Sequence, residues 1–376
     1  MPRTRKGRKG QRGKGLIGEG SFGCVLRPSL PCGNSPNVNA EPFKTTTSNN
    51  YVTKYLDQSE AIEEKKQSQI LRSVIADIDP DEIFVSPRAI CSVPALDASQ
   101  QAELAKCKAK VTSPYLVQLA YGGQNLSDFV CPKEDYNVFF GSLLDLMNAL
   151  QKLHDANICH LDIKPQNIVT QKQPDGSYLT RFVDIGYMMD TTKYAEYTKK
   201  PQLGVDYSIW PFETRLLSVG FVGVPNYFTI NTFYDKIVYN LPKYSIPNKY
   251  YYYANYSPVH FNNQFLNKQL RSCQNPDKSL NVAALAKTTD VYSLGWTLSM
   301  IYSNTFKHKY SNNAIEYLIN DPFNIALADR CTRIMYEIVC KMTWPDMDER
   351  FKLPDAIAKY TEFVTELNAV LGEFPI

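Results

Sequence analysis

The sequence predicts an α+β protein of two lobes, and the order of its patterns carries that expectation. Extended runs punctuated by glycine and proline fill most of the first 121 residues, with one main helical stretch among them. From Gly122 and Gly123 onward, helical periodicity dominates. The 376 residues are 44% hydrophobic and 21% charged, with 18 Gly and 23 Pro, an ordinary globular composition that excludes fibrous and wholly disordered classes. At roughly 150 residues per domain, this length fits a large two-lobed enzyme.

The elements follow in order. Residues 1–14 hold seven basic residues (Arg3, Arg5, Lys6, Arg8, Lys9, Arg12, Lys14) and no acid. Removing those seven from the 41 basic residues leaves 34 against 38 acidic ones, so a globule of net charge −4 carries a basic tail. The tail has nothing apolar to bury and is expected to be disordered, either as a solubilising terminus or as a nucleic-acid contact or nuclear address. Only Leu16 and Ile17 follow it before glycine returns, which predicts a protein that is not secreted. No run approaches the ~18 apolar residues a membrane span needs.

Residues 15–26 read as strand, glycine turn, strand, followed by a Pro/Asn/Ser-rich loop to residue 50 and a β-type run at 51–55. Apolar positions Ile62, Ile70, Leu71, Val74, Ile75 and Ile78 predict a helix over 59–78. Residues 83–93 and 115–121 read as extended, and 98–110 as helical. These close a first lobe at 15–121 and leave 122–376 as the second. There, Phe139, Phe140, Leu143, Leu144, Met147, Leu150 and Leu153 mark one face of a long helix ending near His154. Pro174, Asp175 and Gly176 then turn a hairpin. Residues 214–280 are rich in Tyr, Asn and Pro and show no clear element, whereas helical patterns return around Leu294 to Ile301, around 334–342 and in the last twenty residues.

The nine cysteines are odd in number and scattered, with no C-x-x-C pair, which predicts reduced thiols in a cytosolic-type compartment. The four histidines make no metal-ligand spacing.

Three motifs carry chemistry. GEGSFGCV (18–25) has three glycines that let a turn between strands approach a phosphate, a pattern that chance alone gives in roughly one such chain in eight. HLDIKPQN (160–167) is far more specific, because four fixed residues arise by chance on the order of 10⁻³ per chain. Asp162 can accept a proton from an attacking hydroxyl, Lys164 can neutralise a transferred phosphoryl group, and Asn167 can hold a metal ion. VDIG (183–186) sets Asp184 at a strand end, where its carboxylate can bind Mg²⁺.

In this order the motifs resemble those of eukaryotic-type Ser/Thr protein kinases. That resemblance implies a bilobal fold with a small β-rich lobe and a larger helical one, ATP and Mg²⁺ as cofactors, and protein substrates phosphorylated on Ser or Thr, the acceptor class resting on Lys164. It casts Gly18, Glu19, Gly20, Ser21, Phe22, Gly23 and Val25 as the phosphate-covering loop, and Lys54 in YVTK as the contact to the α- and β-phosphates, with Thr53 where alanine is more common. Glu64 is chosen over Glu63 and Glu60 as the partner of Lys54, and Leu119 and Ala120 as the adenine contacts. Asn167 and Asp184 become the metal ligands. WPFE resembles the segment closing the activation loop, with Glu213 pairing Arg350, and Asp290 resembles the aspartate that starts the central helix and braces the catalytic loop.

Leu161 replaces the arginine that commonly pairs with a phosphorylated activation loop, and Ile185 replaces a phenylalanine after the metal aspartate. Extra residues lie between Val25 and Lys54 and, far more extensively, at 214–280, where they either shape substrate or partner choice or pack on themselves. GCVLRPSLPC (23–32) and the Ile78-Asp79-Pro80 helix end are most similar to kinases of large nucleocytoplasmic DNA viruses, implying host cytoplasm, nucleus or virion as the setting. Two other readings stay open. One is a pseudokinase or scaffold binding through 214–280, and the other is a small-molecule phosphotransferase of related fold.

Overall fold

The computed structural model describes residues 15–20, 23–32, 50–74, 80–194, 210–211, 281–307, 322–344 and 346–374. The basic tail, Ser21, Phe22, Thr198, Glu213, the end of the first large helix at 75–79 and the 214–280 insertion lie outside them. The chain divides into two compact units, residues 1–122 and 123–376.

In the first unit, β1 (Gly15–Gly20), β2 (Gly23–Arg27), β3 (Tyr51–Asp57), β4 (Pro87–Ser92) and β5 (Pro114–Ala120) make one antiparallel sheet in the order β1-β2-β3-β5-β4. Alternation along the strands gives the sheet two distinct faces. On one, Leu56, Ile90 and Val117 pack with Ala61 of α1 (Gln58–Val74), which starts directly at the end of β3. On the other, Leu26, Ala89, Cys91 and Leu116 cluster with Leu30, Cys32 and Leu104, the last residue of α3 (Ala98–Leu104). Asp97 caps α3 by accepting from Gln100 N at 2.8 Å while Gln100 Oε1 accepts from Asp97 N, a capping box. The helix is shorter than the pattern over 98–110 predicts, and a short helix α2 (Pro80–Ile83) stands before β4 where an extended run is expected to begin.

Two disulfides, Cys24 to Cys107 and Cys32 to Cys91, correct the expectation of reduced thiols. The four residues are scattered in sequence, but the sheet brings each pair together on the same face, a pairing that sequence spacing does not encode. Cys131, Cys159 and Cys331 are free and buried, and Cys340 is buried as well. Buried side chains also pin the segment after β2: Thr53 Oγ1 accepts from Leu30 N at 2.8 Å, and Gln118 Nε2 donates to Leu30 O.

In the second unit, α4 (Tyr136–Asp155) presents Phe139, Phe140, Leu143, Leu146, Met147, Leu150 and Leu153 to the core. It packs with α8 (Leu353–Glu373), while α5 (Val282–Lys307) packs with α7 (Arg333–Met342). A short helix α6 (Pro322–Ala326) runs into α7 through a π-helical turn at Leu327–Thr332. Aromatic rings join these layers. Phe140 stacks on Phe306 at 6.0 Å and meets Phe363 edge-on at 5.4 Å. A small antiparallel sheet joins β6 (Gln124–Asn125), β8 (Ile168–Lys172) and β9 (Tyr178–Phe182), and β7 (Ile158–Cys159) pairs β10 (Met189–Asp190). Gly176, at positive φ, turns the predicted β8–β9 hairpin. No helix among the described residues is long and apolar enough to cross a membrane.

The Cys32 to Cys91 bond spans 59 residues, and such a closure stabilises chiefly by restricting the unfolded chain. Cys32→Ser is expected to destabilise the first unit by about 2 to 4 kcal/mol in urea unfolding under non-reducing conditions. The gap between variant and wild type should shrink once both are reduced.

Candidate active site

The helix α4 delivers the chain to the site, and β7 carries it into residues 160–167. Asp162 is buried, with its carboxylate enclosed by its own loop. Lys164 Nζ donates to both carboxylate oxygens, at 2.9 and 2.8 Å, and Asn167 Nδ2 donates to Asp162 Oδ2 at 2.6 Å and to its carbonyl at 3.0 Å. A 3₁₀ turn at Pro165–Asn167 makes this possible by folding Asn167 back, its N–H reaching Lys164 O at 2.9 Å. Asp162, Lys164 and Asn167 therefore form one cluster.

Asp184 is joined to that cluster through the backbone, because Val183 N donates to Asn167 O at 2.9 Å. It sits in the left-handed region at φ 62°, which an aspartate tolerates better than most residues. The 3₁₀ turn Ile185–Tyr187 follows, with Ile185 buried. Both amide hydrogens of Asn167 are engaged by Asp162, which leaves its Oδ1, a pure acceptor, for other partners. A carboxylate and an amide oxygen on adjacent segments fit a hard cation such as Mg²⁺.

Behind the loop stands Asp290. Its Oδ2 accepts from His160 N at 2.7 Å and lies 3.1 Å from His154 Nε2, and its Oδ1 accepts from Leu161 N at 2.7 Å. Asp290 is fully buried and lies two turns inside α5, which starts at Val282, so the expectation that it begins the central helix is corrected. His154, Cys159 and Asp290 offer ligand atoms within 4.8 Å of one another, but both oxygens of Asp290 already hold N–H groups, and burial pushes the Cys159 thiol pKa well up. The trio works as a brace. His154 and Cys159 were not singled out for this role from the sequence, where their partner lies more than a hundred positions away.

Leu161 also adopts a positive φ, 64°, a conformation costing a leucine roughly 1 to 2 kcal/mol. Its side chain offsets that by complete burial with Cys159, Tyr194, Leu285 and Ala286, against Tyr187 and Met189. Leu161 O also accepts from Trp210 Nε1 at 2.8 Å. One apolar cluster thus joins the loop at 160–167 to the segment after Asp184. Tyr194 OH adds a 2.8 Å hydrogen bond to Thr289.

In the first unit, Lys54 is ion-paired with the buried Glu64 of α1. Glu60 is exposed and Glu63 bonds Gln67. Register explains the pair. Lys54 shares the α1 face of the sheet with Leu56 and, through cross-strand pairing, with Val25 and Val117. Thr53 points to the other face, where its Oγ1 accepts from Leu30 N. Gly18 lies against Val25, and Gly23 passes so close to Tyr55 O that a side chain there would clash. Glu19 turns its carboxylate to Lys108 N at 2.9 Å, on the face opposite Val25 and Lys54, which argues against a phosphate-facing role for its side chain. Leu119 and Ala120 lie within β5, paired with Val52 and Tyr51, and Tyr121 N donates to Asn50 O. Arg350 is buried, donates from Nε to Trp344 O at 2.8 Å and lies over the Tyr292 ring, while its expected partner Glu213 is outside the described residues.

His160 is buried and its pKa is lowered, with burial the main cause and the carboxylates of Asp290, Asp162 and Asp184 opposing it. Between that lowered value and the ~6.5 of an unfolded histidine, the unfolded chain binds more protons, so stability rises with pH. Urea unfolding is expected to show stability fully present above pH ~6.5 and lost as pH falls through the folded value, with a flatter profile in His160→Asn. Asp290→Ala leaves buried N–H groups without an acceptor and is expected to cost at least about 3 kcal/mol in the same assay.

No family model matches the chain. A stretch of 77 residues, 20% of the chain, is 35% identical to serine/threonine-protein kinase DCLK2 of Mus musculus and to serine/threonine-protein kinase DCLK1 of Rattus norvegicus. DCLK2 of Homo sapiens matches to the same extent. The stretch covers 10% of the mouse and human proteins and 18% of the rat one, so the chain spans less than a fifth of the length of these relatives. A mixed α and β chain thus carries a local similarity to serine/threonine protein kinases.

Proposed function

We propose that this protein is an ATP-dependent serine/threonine protein kinase of two lobes, residues 15–121 and 122–376. The observation that carries the proposal is the cluster of Asp162, Lys164 and Asn167, with Asp184 linked through Val183 N to Asn167 O. That donor and acceptor set suits phosphoryl transfer, in which catalysis is mostly positioning and charge neutralisation. The local likeness to serine/threonine kinases and the presence of Lys164 support the acceptor class.

In this mechanism the acceptor hydroxyl oxygen attacks the γ-phosphorus, the bond to the β–γ bridging oxygen breaks, ADP departs and the hydroxyl proton passes to Asp162. Lys164, 2.8 Å from that carboxylate, steadies it before reaction and meets the negative charge of the phosphoryl group during transfer. Lys54, oriented by Glu64, holds the α- and β-phosphates, and the glycine hairpin covers them. Asn167 and Asp184 would hold Mg²⁺, which neutralises phosphate charge when bound. A viral source, with the enzyme in host cytoplasm, nucleus or virion and its basic tail on nucleic acid, extends the proposal on the strength of residues 23–32 and 1–14.

The apolar cluster around Leu161 further implies that the activation segment is held without a phosphate. Thr191 is already buried, and Thr192 Oγ1 donates to Asp190 at 2.7 Å. Replacing Thr191, Thr192 and Thr198 together with Ala is expected to leave most activity, and a collapse rescued by phosphomimics would refute the idea.

The direct test uses radiolabelled ATP with a generic basic protein and, separately, small alcohols. Label should appear on Ser and Thr of the protein, at a turnover of about 1 to 100 s⁻¹. Asp162→Asn should lower kcat by orders of magnitude with ATP binding kept. Labelled alcohols would indicate a small-molecule phosphotransferase, and ATP binding without transfer a pseudokinase.

A further inference from the structure

Residues 93–113, between β4 and β5, have no part in the proposed chemistry, yet they are tied to the glycine-bearing hairpin β1–β2 at several points. Cys107 is bonded to Cys24, the residue after Gly23 on β2. One residue further on, Lys108 N donates to Glu19 Oε1 on β1, and Glu19 pairs across the hairpin with Cys24. Leu104 packs into the cluster containing Leu26, and the carboxylate of Glu103 lies beside Gly15. All four contacts involve the hairpin, and those of Cys24 and Glu19 lie on the face away from Val25 and Lys54. The strap therefore braces the face of the hairpin opposite Val25 and Lys54. β1 is an edge strand whose sheet neighbour is β2, so without the strap its ordering rests on one ladder.

We propose that residues 93–113 are a redox-controlled strap, with the Cys24 to Cys107 bond holding the glycine hairpin rigid and its reduction releasing it. A dithiol supplies the electrons. Its thiolate attacks one sulfur to give a mixed disulfide, its second thiol displaces that sulfur, and the dithiol leaves as a cyclic disulfide. Cys24 and Cys107 end as two thiols, having gained two electrons and two protons. The functional consequence rests on the kinase reading: a hairpin no longer held in place covers the phosphates less well, which raises KM for ATP several-fold. Cys32 to Cys91 joins the segment after β2 to β4 without touching β1, and so serves as the internal control.

Hydrogen exchange on the full chain, oxidised or reduced by dithiothreitol, decides the matter, with thiol alkylation reporting the state of each cysteine. Amides of 15–20 and 23–27 are expected to exchange several-fold faster, relative to the other amides of the first unit, in reduced wild type and in oxidised Cys107→Ser, to show no such selective rise in oxidised Cys32→Ser, and to recover when wild type is reoxidised. Unchanged hairpin exchange after verified reduction of wild type overturns the strap, even where Cys107→Ser fails to fold. A Cys24 to Cys107 bond that cannot be formed under oxidising conditions also overturns it. Faster exchange in a protein that transfers no phosphate sustains the strap and removes the kinase reading, whereas phosphate transfer with an indifferent hairpin does the reverse.

Discussion

The buried carboxylate of Asp290 is the constraint on which the candidate site depends. It accepts the N–H groups of His160 and Leu161, the two residues before Asp162, and so fixes where the loop begins. With that start fixed, the 3₁₀ turn at Pro165–Asn167 folds Asn167 and Lys164 onto the Asp162 carboxylate. Asn167 O then takes Val183 N and sets the strand end from which Asp184 projects. Each step uses a group that burial would make costly to leave unpaired, so the arrangement is specified as a whole and not residue by residue.

The two units achieve order by different means. Residues 123–376 rely on long amphipathic helices and a dense set of rings around Phe140, which bury enough apolar surface to hold a strained loop. Leu161 and Asp184, two of the three non-glycine residues at positive φ among those described, lie on either side of the Asp162 cluster, where such strain commonly collects. The described residues of 1–122 build their core on one sheet and α1, and they add two covalent bonds on the face away from Lys54. The face that carries Lys54, Glu64 and Val25 is left to side-chain chemistry.

Much of this is written locally in the sequence. Asp162, Lys164 and Asn167 fall within six residues, so a single loop can assemble them, and helical spacing after β3 brings Glu64 to the lysine. The long face of α4 and the turn at Gly176 follow from periodicity and from glycine's freedom. What is not legible depends on long-range pairing. Nothing near Cys24 or Cys32 names Cys107 or Cys91 as its partner, and nothing near His154 points to Asp290. The sequence sets the face of Thr53 only through strand alternation, and its contact with Leu30 depends on how the chain returns over the sheet.

Magnesium-dependent ATP binding, followed by titration calorimetry on the full chain, tests the central claim most directly. Wild type is expected to bind ATP more tightly with Mg²⁺ than without, and Asp184→Ala to lose that dependence while remaining folded. Equal binding by both proteins, or no ATP binding by wild type, would contradict the account.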